Sequence, residues 1–368
     1  MSDKLIYEVG IGLIPNVGSQ TTRLLVSYCG SPEQVFKSKK GHLLRIPGVG
    51  PTTADAIINQ NVLTLAEKEV KTAEKQNIQI LFYTNPLYPL RLKSIQDAPT
   101  LLYYNGNANL NNKKSIAIVG TRNATEYGKS ATEDIVQDLK THNALVVSGL
   151  AYGIDIAAHK ASIKTGLETI GVMASGVDII YPSVHNKTAA QMIESGGLLT
   201  EYPFGTTPEA VHFPARNRII AGMVDAVIVV EAAEKGGALI TAEIANSYNK
   251  EVFAVPGNLG MKVSAGCNKL IASHKAQIYT SIKDLEYLLN WDIDVSKEKI
   301  MVSKISFDEF PPDEKEILTL LHDNTEIMID ELSWKSQIPA SRLASLLLTL
   351  EFQGLIKVLP GKKFKLNT

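Results

Sequence analysis

Short apolar runs alternate with helical patterns throughout the segment from Lys114 to Trp291. In the helical segments apolar residues recur every four positions, as Ala131, Ile135 and Leu139 do, and therefore share one face. The apolar runs are rich in Val and Ile and lie at residues 115–119, 144–148, 169–174, 197–201, 226–231 and 251–255. Strands that are apolar on both faces and joined by helices form parallel sheets. The segment therefore predicts an α/β fold, an extended Rossmann-like doubly wound parallel sheet.

Different patterns precede this segment. From Ile78 to Tyr104, two strand-like runs surround a proline-bearing loop and predict an extra layer on the sheet. Near the N-terminus, residues 14–18 (IPNVG) and 46–50 (IPGVG) each precede a helical pattern, which is typical of a helical helix-hairpin-helix (SAM-like) module. Glycines in such turns leave backbone N–H groups free to meet a phosphate, so the pair is either a DNA contact or a packing module. The first turn has Asn16 in the position of a glycine.

The C-terminal part predicts three helices followed by a strand pair around Pro360-Gly361, which is the arrangement of a winged-helix module. A stretch of mixed charge that ends in Pro311-Pro312 is typical of a linker. A chain of 368 residues also exceeds what one hydrophobic core usually organises. The predicted organisation is a helical domain at residues 1–66, a Rossmann-like domain at 67–292, a linker at 293–310 and a winged-helix domain at 311–368.

Charge limits the way in which the chain could bind nucleic acid. Its 37 Lys and Arg against 38 Asp and Glu give a formal net charge of −1, so any DNA binding must come from a local patch. The start, MSDKLIYEVG, has no secretory signal pattern, and no segment has about twenty consecutive apolar residues, which predicts a cytoplasmic protein without membrane association. Cys29 and Cys267 lie far apart, which argues against a cysteine-based metal site and suits a reducing compartment.

Glycine-rich turns follow three of the predicted strands. The first strand runs into Gly120 and Arg122, the second into residues 149–155, and a later one into Gly236 and Gly237. Ligands of open parallel sheets bind beyond the carboxyl ends of the strands, where glycines and helix N-termini favour anions. Neither GxGxxG followed by a ribose-binding acid nor GxxxxGK[ST] is present, which disfavours dinucleotide and nucleoside-triphosphate binding. We therefore predict an anion site at this edge, with Arg122 reaching across the helix N-terminus after the first strand.

Arg216, Asn217 and Arg218 lie between apolar residues just before a helical pattern, which predicts a loop that enters the same edge. Guanidinium groups hold phosphate oxygens through paired hydrogen bonds, and an amide can bond backbone or base, so the segment predicts an anion or nucleic-acid contact. Patterns such as GxSxG and HExxH are absent, so no metal, cofactor or turnover is expected. His159 lies one helical turn after Asp155, could pair with it, and is expected to make a local structural bond.

A series of motifs resembles the signature series of the DNA-processing protein A (DprA/Smf) family. The motifs include IAIVGTRNATEYG, GLAYGIDIAAHKAS, FPARNRIIAG and VVEAAEKGGALITAEIA, and the similarity extends over about residues 78–291. The resemblance implies a protein without catalytic activity that binds and protects single-stranded DNA. It further implies that the protein loads the RecA recombinase on that DNA during natural transformation and homologous recombination, and that it works as a homodimer.

The resemblance also implies which residues bind DNA. Arg122 matches an arginine that contacts DNA in relatives, and residues 216–218 match the FPxRNR motif that lines the same pocket. Lys187 lies in a YPxxN-like loop, YPSVHNK, where relatives place a DNA-binding lysine. The DNA-binding set that we predict is Gly120, Arg122, Lys187, Arg216, Asn217, Arg218, Gly236, Gly237 and Asn268.

Tyr152 stands in GLAYGID where this family usually has arginine. A tyrosine there either stacks against a base or leaves a weaker contact with DNA, and both readings stay open. Two other functions compete with DNA handling. A nucleotide-hydrolysing enzyme is the alternative, because GGALITAE resembles the PGGxGTxxE motif of cytokinin-activating phosphoribohydrolases. A transcription regulator would suit the winged helix alone, although its predicted recognition helix offers only Arg342 as a strong phosphate or guanine partner.

Overall fold

The computed structural model describes residues 3–59, 61–291, 310–324, 326–359 and 363–366. The chain divides into two compact units, one of residues 1–291 and one of residues 292–368. The predicted linker, apart from Phe310, and the predicted turn at Pro360-Gly361 lie outside the described residues. Within the described residues, no helix has both the length and the apolar character needed to cross a bilayer.

Six helices begin the first unit: α1 (Asp3–Gly12), α2 (Ser19–Cys29), α3 (Pro32–Lys37), α4 (Lys40–Leu43), α5 (Pro51–Asn59) and α6 (Asn61–Gln76). The two similar turns lie before α2 and α5, and each contains a residue with left-handed backbone, Asn16 with φ 62° and Gly48 with φ 81°. Asparagine adopts this conformation more readily than other side-chain-bearing residues, which explains how Asn16 can occupy the position of a glycine. Helix α6 continues through residue 66, where the sequence predicts a domain boundary.

A nine-stranded sheet organises the rest of the first unit, in the order β1-β2-β6-β5-β4-β3-β7-β8-β9. Its strands are β1 (Gln79–Phe82), β2 (Leu101–Gly106), β3 (Ser115–Val119), β4 (Leu145–Ser148), β5 (Thr169–Val172), β6 (Gly196–Thr200), β7 (Ala226–Val229), β8 (Glu251–Ala254) and β9 (Gln277–Ile278). Strands β3 to β9 are parallel to one another, which confirms the predicted sheet. Strands β1 and β2 are antiparallel and extend the edge beside β6, so the expected extra layer is wrong: these strands join the sheet itself.

Helices cover both faces of the parallel strands because alternate residues of each strand point to opposite sides. The helices are α7 (Leu90–Lys93), α8 (Glu126–Leu139), α9 (Ile154–Thr165), α10 (Asn186–Glu194), α11 (His212–Gly222), α12 (Gly237–Ser247), α13 (Ala265–Ala272) and α14 (Ile282–Leu289). Within β3, Ile116 and Ile118 belong to the core that includes α8 and α9. Ala117 and Val119 belong to the core that includes α11 and α12.

The second unit contains three helices and a small antiparallel sheet ordered β10-β12-β11. These elements are α15 (Pro312–Asp323), β10 (Ile327–Met328), α16 (Ile329–Ser336), α17 (Ala340–Phe352), β11 (Ile356–Leu359) and β12 (Lys363–Leu366). Leu318, Leu343 and Leu347 are among the buried side chains of its core. The arrangement confirms the predicted helices and strand pair, except that residues 327–328 form a strand instead of starting a helix.

Two loops at the carboxyl edge of the sheet lie in direct contact. Ile154 at the start of α9 donates its N–H to Thr121 O after β3, at 3.2 Å. The preceding Gly153 has φ 78°, and a Cβ atom there would lie 2.1 Å from Thr121 O. Only glycine satisfies both the left-handed backbone and this close approach.

Replacing Gly153 with alanine should therefore destabilise the protein more than the same change at Gly166, which ends α9. Gly166 has a similar φ of 77°, but an added Cβ would meet no atom within 4 Å. We expect Gly166→Ala to lower the free energy of unfolding by about 1–2 kcal/mol, which is the cost of a left-handed Cβ. Gly153→Ala adds the displacement of the Thr121 loop and a backbone conformation, φ 78° and ψ −123°, that suits alanine less than the left-handed helical one of Gly166, so its melting temperature should fall several degrees further. Equal melting temperatures for the two variants would show that the contact between the loops is loose.

Candidate nucleic-acid interface

A cleft of about 300 Å³ lies at the carboxyl ends of the strands around β3. Strand order reverses at this point, because β4, β5 and β6 lie on one side of β3 and β7, β8 and β9 on the other. Ligands of open α/β sheets bind at such reversals. We call it the switch-point cleft; six of the predicted DNA-binding residues line it: Gly120, Arg122, Arg216, Asn217, Gly236 and Gly237.

Arg122 is the exposed arginine of this cleft. Its guanidinium carbon lies 5.4 Å from the centre of the Phe213 ring. A cation held over an aromatic face at this distance is attracted to the ring while its edge stays available to other partners. The arrangement positions a guanidinium at the mouth of the cleft, where its N–H groups can meet an anion from solvent.

Arg216 is buried, with only 6% of its surface exposed. Its Nη1 donates to Val172 O, and its Nε donates to Asn217 Oδ1 at 3.3 Å. Burial lowers the pKa of Arg216, and the nearby Asp155 carboxylate opposes that shift. Arg216 thus uses part of its hydrogen-bonding capacity inside the protein, in the wall of the cleft.

Asp155, 7% exposed, supplies the compensating negative charge. Burial raises the pKa of Asp155, while Arg216 lowers it. A Cβ atom on Gly149 would lie 2.4 Å from Asp155 Oδ2 and 2.6 Å from Arg216 Nη1. The absence of a side chain at Gly149 therefore lets these two charged groups approach one another in the wall of the cleft.

The segment that carries Arg216 is a helix and not the predicted loop. Residues 212–222 form α11 itself. Pro214 lies in its first turn, where proline costs no hydrogen bond and does not interrupt the helix. Side chains two positions apart on a helix point in nearly opposite directions, at about 200°. Arg216 and Arg218 accordingly have different surroundings.

The helix N-terminus after β3 is filled by a carboxylate from the protein itself. Glu231 is 2% exposed, and its Oε1 accepts from Thr125 Oγ1 at 2.5 Å while its Oε2 accepts from Thr125 N at 2.9 Å. A carboxylate at this place satisfies the positive end of α8. The prediction that this terminus holds the external anion is therefore wrong.

The N-terminus of α12 lines the cleft, as does the first turn of α9 through Asp155. Gly236 and Gly237 are exposed, and no side chain of the described residues caps this helix. Asn217 Nδ2 donates to Gly237 O at 3.3 Å and so links α11 to α12. Lys235 is exposed beside this terminus. Free backbone N–H groups, a helix dipole and a lysine together favour an anion here.

Three predicted residues lie outside the cleft. Arg218 Nη2 donates to Glu201 Oε2 at 2.5 Å, and its Nη1 donates to Asp97 O at 2.7 Å. Asn268 uses both ends of its amide on Gly257, accepting from N at 3.1 Å and donating to O at 2.9 Å. Lys187 is exposed in the first turn of α10 and does not line the cleft.

His159 makes the structural bonds that the sequence predicts, though not with Asp155. It is fully buried, and its Nε2 lies 2.6 Å from Gly149 O while its Nδ1 lies 2.7 Å from Thr169 Oγ1. Burial lowers the pKa of His159 to about 4, so the imidazole is neutral near pH 7 and donates to Gly149 O. Among the described residues, no group of three or more His, Cys, Asp or Glu side chains could hold a metal ion.

A second, smaller cavity of about 40 Å³ adjoins the cleft. Tyr152, Tyr181 and Phe213 form its aromatic lining, and we call it the aromatic slot. Sequence reasoning singled out Tyr152 but missed the other two rings. Both rings could have been found from their positions in the motifs, since Tyr181 is the first residue of YPSVHNK and Phe213 is the first residue of FPARNR.

Comparisons with known proteins identify related chains. The model of the family described as DNA recombination-mediator protein A matches residues 79–290, and that of the DprA winged helix domain matches residues 308–362. Protein Smf of Synechocystis sp. is 36% identical over 271 residues, which cover 72% of this chain and 68% of that protein. DNA processing protein DprA of Bacillus subtilis is 43% identical over 208 residues, covering 56% of this chain and 70% of the relative.

Two solved structures are also similar. DNA processing protein A of Streptococcus pneumoniae matches with a TM-score of 0.66 and 32% identity, over 78% of this chain and 98% of that one. DNA processing protein A of Helicobacter pylori matches with a TM-score of 0.53 and 30% identity, over 58% and 96% of the two chains. The Helicobacter pylori structure is described as giving insight into the unique single-stranded DNA binding mode of that protein.

Proposed function

Because this chain belongs to the DNA recombination-mediator protein A (DprA/Smf) family, we propose that it binds single-stranded DNA at the switch-point cleft and delivers it to a recombinase. The observation that carries the proposal is the pairing of exposed Arg122 with the uncapped N-terminus of α12 on one cavity. Both groups favour phosphate oxygens. The single-stranded DNA binding described for the Helicobacter pylori relative supports the same ligand class.

The charges at the cleft determine how strongly DNA binding should depend on salt concentration. Arg122, Lys235 and the N-terminus of α12 can meet phosphates, while Arg216 is buried beside the carboxylate of Asp155. The chain as a whole carries a net charge of −1, so little long-range attraction adds to these contacts. Two or three neutralised phosphates predict a modest salt dependence, with a log–log slope of roughly −1.4 to −2.1 for a single strand.

Titration of labelled single-stranded and duplex oligonucleotides at several salt concentrations tests this proposal directly. We expect the single strand to bind more tightly, because the cleft offers glycine turns and a helix terminus, which suit a phosphate backbone. Affinity should fall with salt at about the slope given above. Equal affinity for the duplex, or no response to salt, would contradict the proposal.

Two arginine variants separate binding from folding. Arg122→Ala should weaken single-strand binding by about 1.5–3 kcal/mol, roughly tenfold or more, with an unchanged melting temperature, because its charge is exposed in the cleft. Arg218→Ala is the matched control. It removes the partner of Glu201, whose pKa is raised by burial and lowered by Arg218, and should lower the melting temperature while the folded protein keeps its affinity. The reverse pattern would show that the site lies beside Arg218.

We also propose that the protein acts without turnover, as a homodimer, and that it loads RecA on the bound strand during natural transformation and homologous recombination. The description of the matched family as a recombination mediator supports this role. The same family assignment does not favour the phosphoribohydrolase alternative.

Loading can be measured as the lag before RecA hydrolyses ATP on DNA covered by a single-strand-binding protein. We expect the protein to shorten the lag and Arg122→Ala to shorten it less, because the variant holds the strand more weakly. Incubation with nucleoside monophosphates serves as the parallel assay for an enzyme. An unchanged lag would contradict RecA loading, and release of free base would contradict the absence of turnover.

A further inference from the structure

The two similar turns before α2 and α5 have the same backbone hydrogen bonds. These bonds are, in the first turn, Val17 N to Ile14 O (3.2 Å) and Thr22 N to Gly18 O (2.9 Å), and in the second, Val49 N to Ile46 O (3.1 Å) and Ala54 N to Gly50 O (3.0 Å). The two turns are therefore copies of one local structure, and differences in their surroundings show what each of them does.

The first turn faces the sheet. Leu13 and Val17 line a cavity of about 280 Å³ together with Leu101, the first residue of β2. Arg23 is the first cation after this turn, and its guanidinium carbon lies 4.9 Å from the centre of the Tyr83 ring. The first turn therefore acts as a packing contact between the N-terminal helices and the sheet.

The second turn faces solvent. Pro47, Gly48 and Gly50 are all exposed, and a Cβ atom added at either glycine would meet no atom within 4 Å. The backbone N–H groups of Gly48 and Gly50 donate to no atom of the described residues. Backbone donors are strong hydrogen-bonding groups, so both are available to an acceptor from outside.

The sequence around the second turn is basic. No acidic residue lies between Glu33 and Asp55, whereas the same stretch contains Lys37, Lys39, Lys40 and Arg45. Residues 1–66 carry six Lys and Arg against four Asp and Glu, a formal charge of +2 in a chain of −1. We call residues 37–50 the basic hairpin.

Two of these cations have partners and two do not. Lys37 pairs with Glu33, and Lys40 pairs with Asp55, both at 2.5 Å on the surface. Lys39 and Arg45 are exposed, and neither pairs with a carboxylate of the described residues. Exposed ion pairs contribute little to stability, so an external anion can also replace the two carboxylates.

Apolar residues between the cations hold the basic hairpin in place. Leu43, Ile46 and Val49 are buried, with 0%, 2% and 6% of their surfaces exposed. The cations and glycines between them are directed outward. Because the turn is fixed before any ligand binds, little conformational entropy is lost on binding.

We propose that the basic hairpin binds the phosphate backbone of duplex DNA and is a second nucleic-acid site, independent of the switch-point cleft. Residues 37–50 contain no Phe, Tyr or Trp on which an unpaired base could stack. A duplex offers a denser row of phosphates than a single strand and releases more counterions for each phosphate that is neutralised. The contacts are to phosphates alone, so binding is independent of base sequence.

The test compares a short blunt duplex with a single strand of the same length, each titrated with the full chain at several salt concentrations. The double variant Lys39→Ala, Arg45→Ala should lose about tenfold or more on the duplex and less than about twofold on the single strand. Its log–log salt slope for the duplex should become less steep by about 1.8, because two phosphates are no longer neutralised.

The double variant Lys68→Ala, Lys75→Ala is the matched control. Both lysines are exposed on α6, in the same N-terminal helices, and their removal changes the net charge by the same amount. The control should bind both DNAs within about twofold of the native protein. Melting temperatures of all variants show whether the fold is intact.

A pair of glycine variants tests the backbone donors. Neither Gly50 nor Gly18 has a left-handed φ, and an added Cβ would meet no atom within 4 Å at either position. Both alanine variants should therefore keep the native melting temperature. Gly50→Ala places a methyl group where the phosphate approaches and should weaken duplex binding about fivefold, whereas Gly18→Ala should leave it unchanged.

Three results would overturn the hairpin site: no duplex binding by the native protein at low salt, equal duplex affinities for the two double variants, or equal losses on duplex and single strand when Lys39 and Arg45 are removed. The proposed function fails separately. It would be contradicted if the native protein did not bind the single strand, whatever the duplex titration gives.

Discussion

The reversal of strand order at β3 is the constraint on which the site depends. After β3 the chain adds β4, β5 and β6 on one side and then returns to place β7, β8 and β9 on the other. The connecting helices are carried to opposite faces of the sheet, so a crevice remains where they separate. The loop after β3, the start of α12 and the side chains of α11 meet in this crevice, although long stretches of sequence separate them.

The two arginines in the crevice have different surroundings: Arg216 is buried and bonded to the protein, whereas Arg122 is exposed. Arg216 is buried, hydrogen-bonded to Val172 O and compensated by Asp155, because an uncompensated buried charge would be costly. Arg122 rests on Phe213 and stays exposed. The division allows a chain of net charge −1 to present a small positive surface. Beside it, Tyr152 and Tyr181 are each about half exposed and line the aromatic slot.

The sequence predicts nine DNA-binding residues, of which the structure places six on the switch-point cleft and three outside it. Arg218 follows Arg216 by two positions, but on a helix this spacing turns the side chain to another face, where Glu201 binds it. Asn268 is engaged twice by Gly257, a contact that its motif does not reveal. Residue type and order thus identified the segments, while the direction of each side chain depended on the local helix.

The sequence by itself determined the class of fold and the segments that meet at the cleft, because strand burial, helical periodicity and glycine turns are properties of neighbouring residues. Only the tertiary structure decided which helix terminus is available. Glu231 lies 106 residues beyond Thr125 and fills the N-terminus of α8, whereas the N-terminus of α12 lines the cleft without a side-chain cap. Only the tertiary structure likewise brings Tyr152 and Tyr181 together on one cavity. Such contacts join distant parts of the chain, and their geometry depends on how the whole sheet and its helices pack.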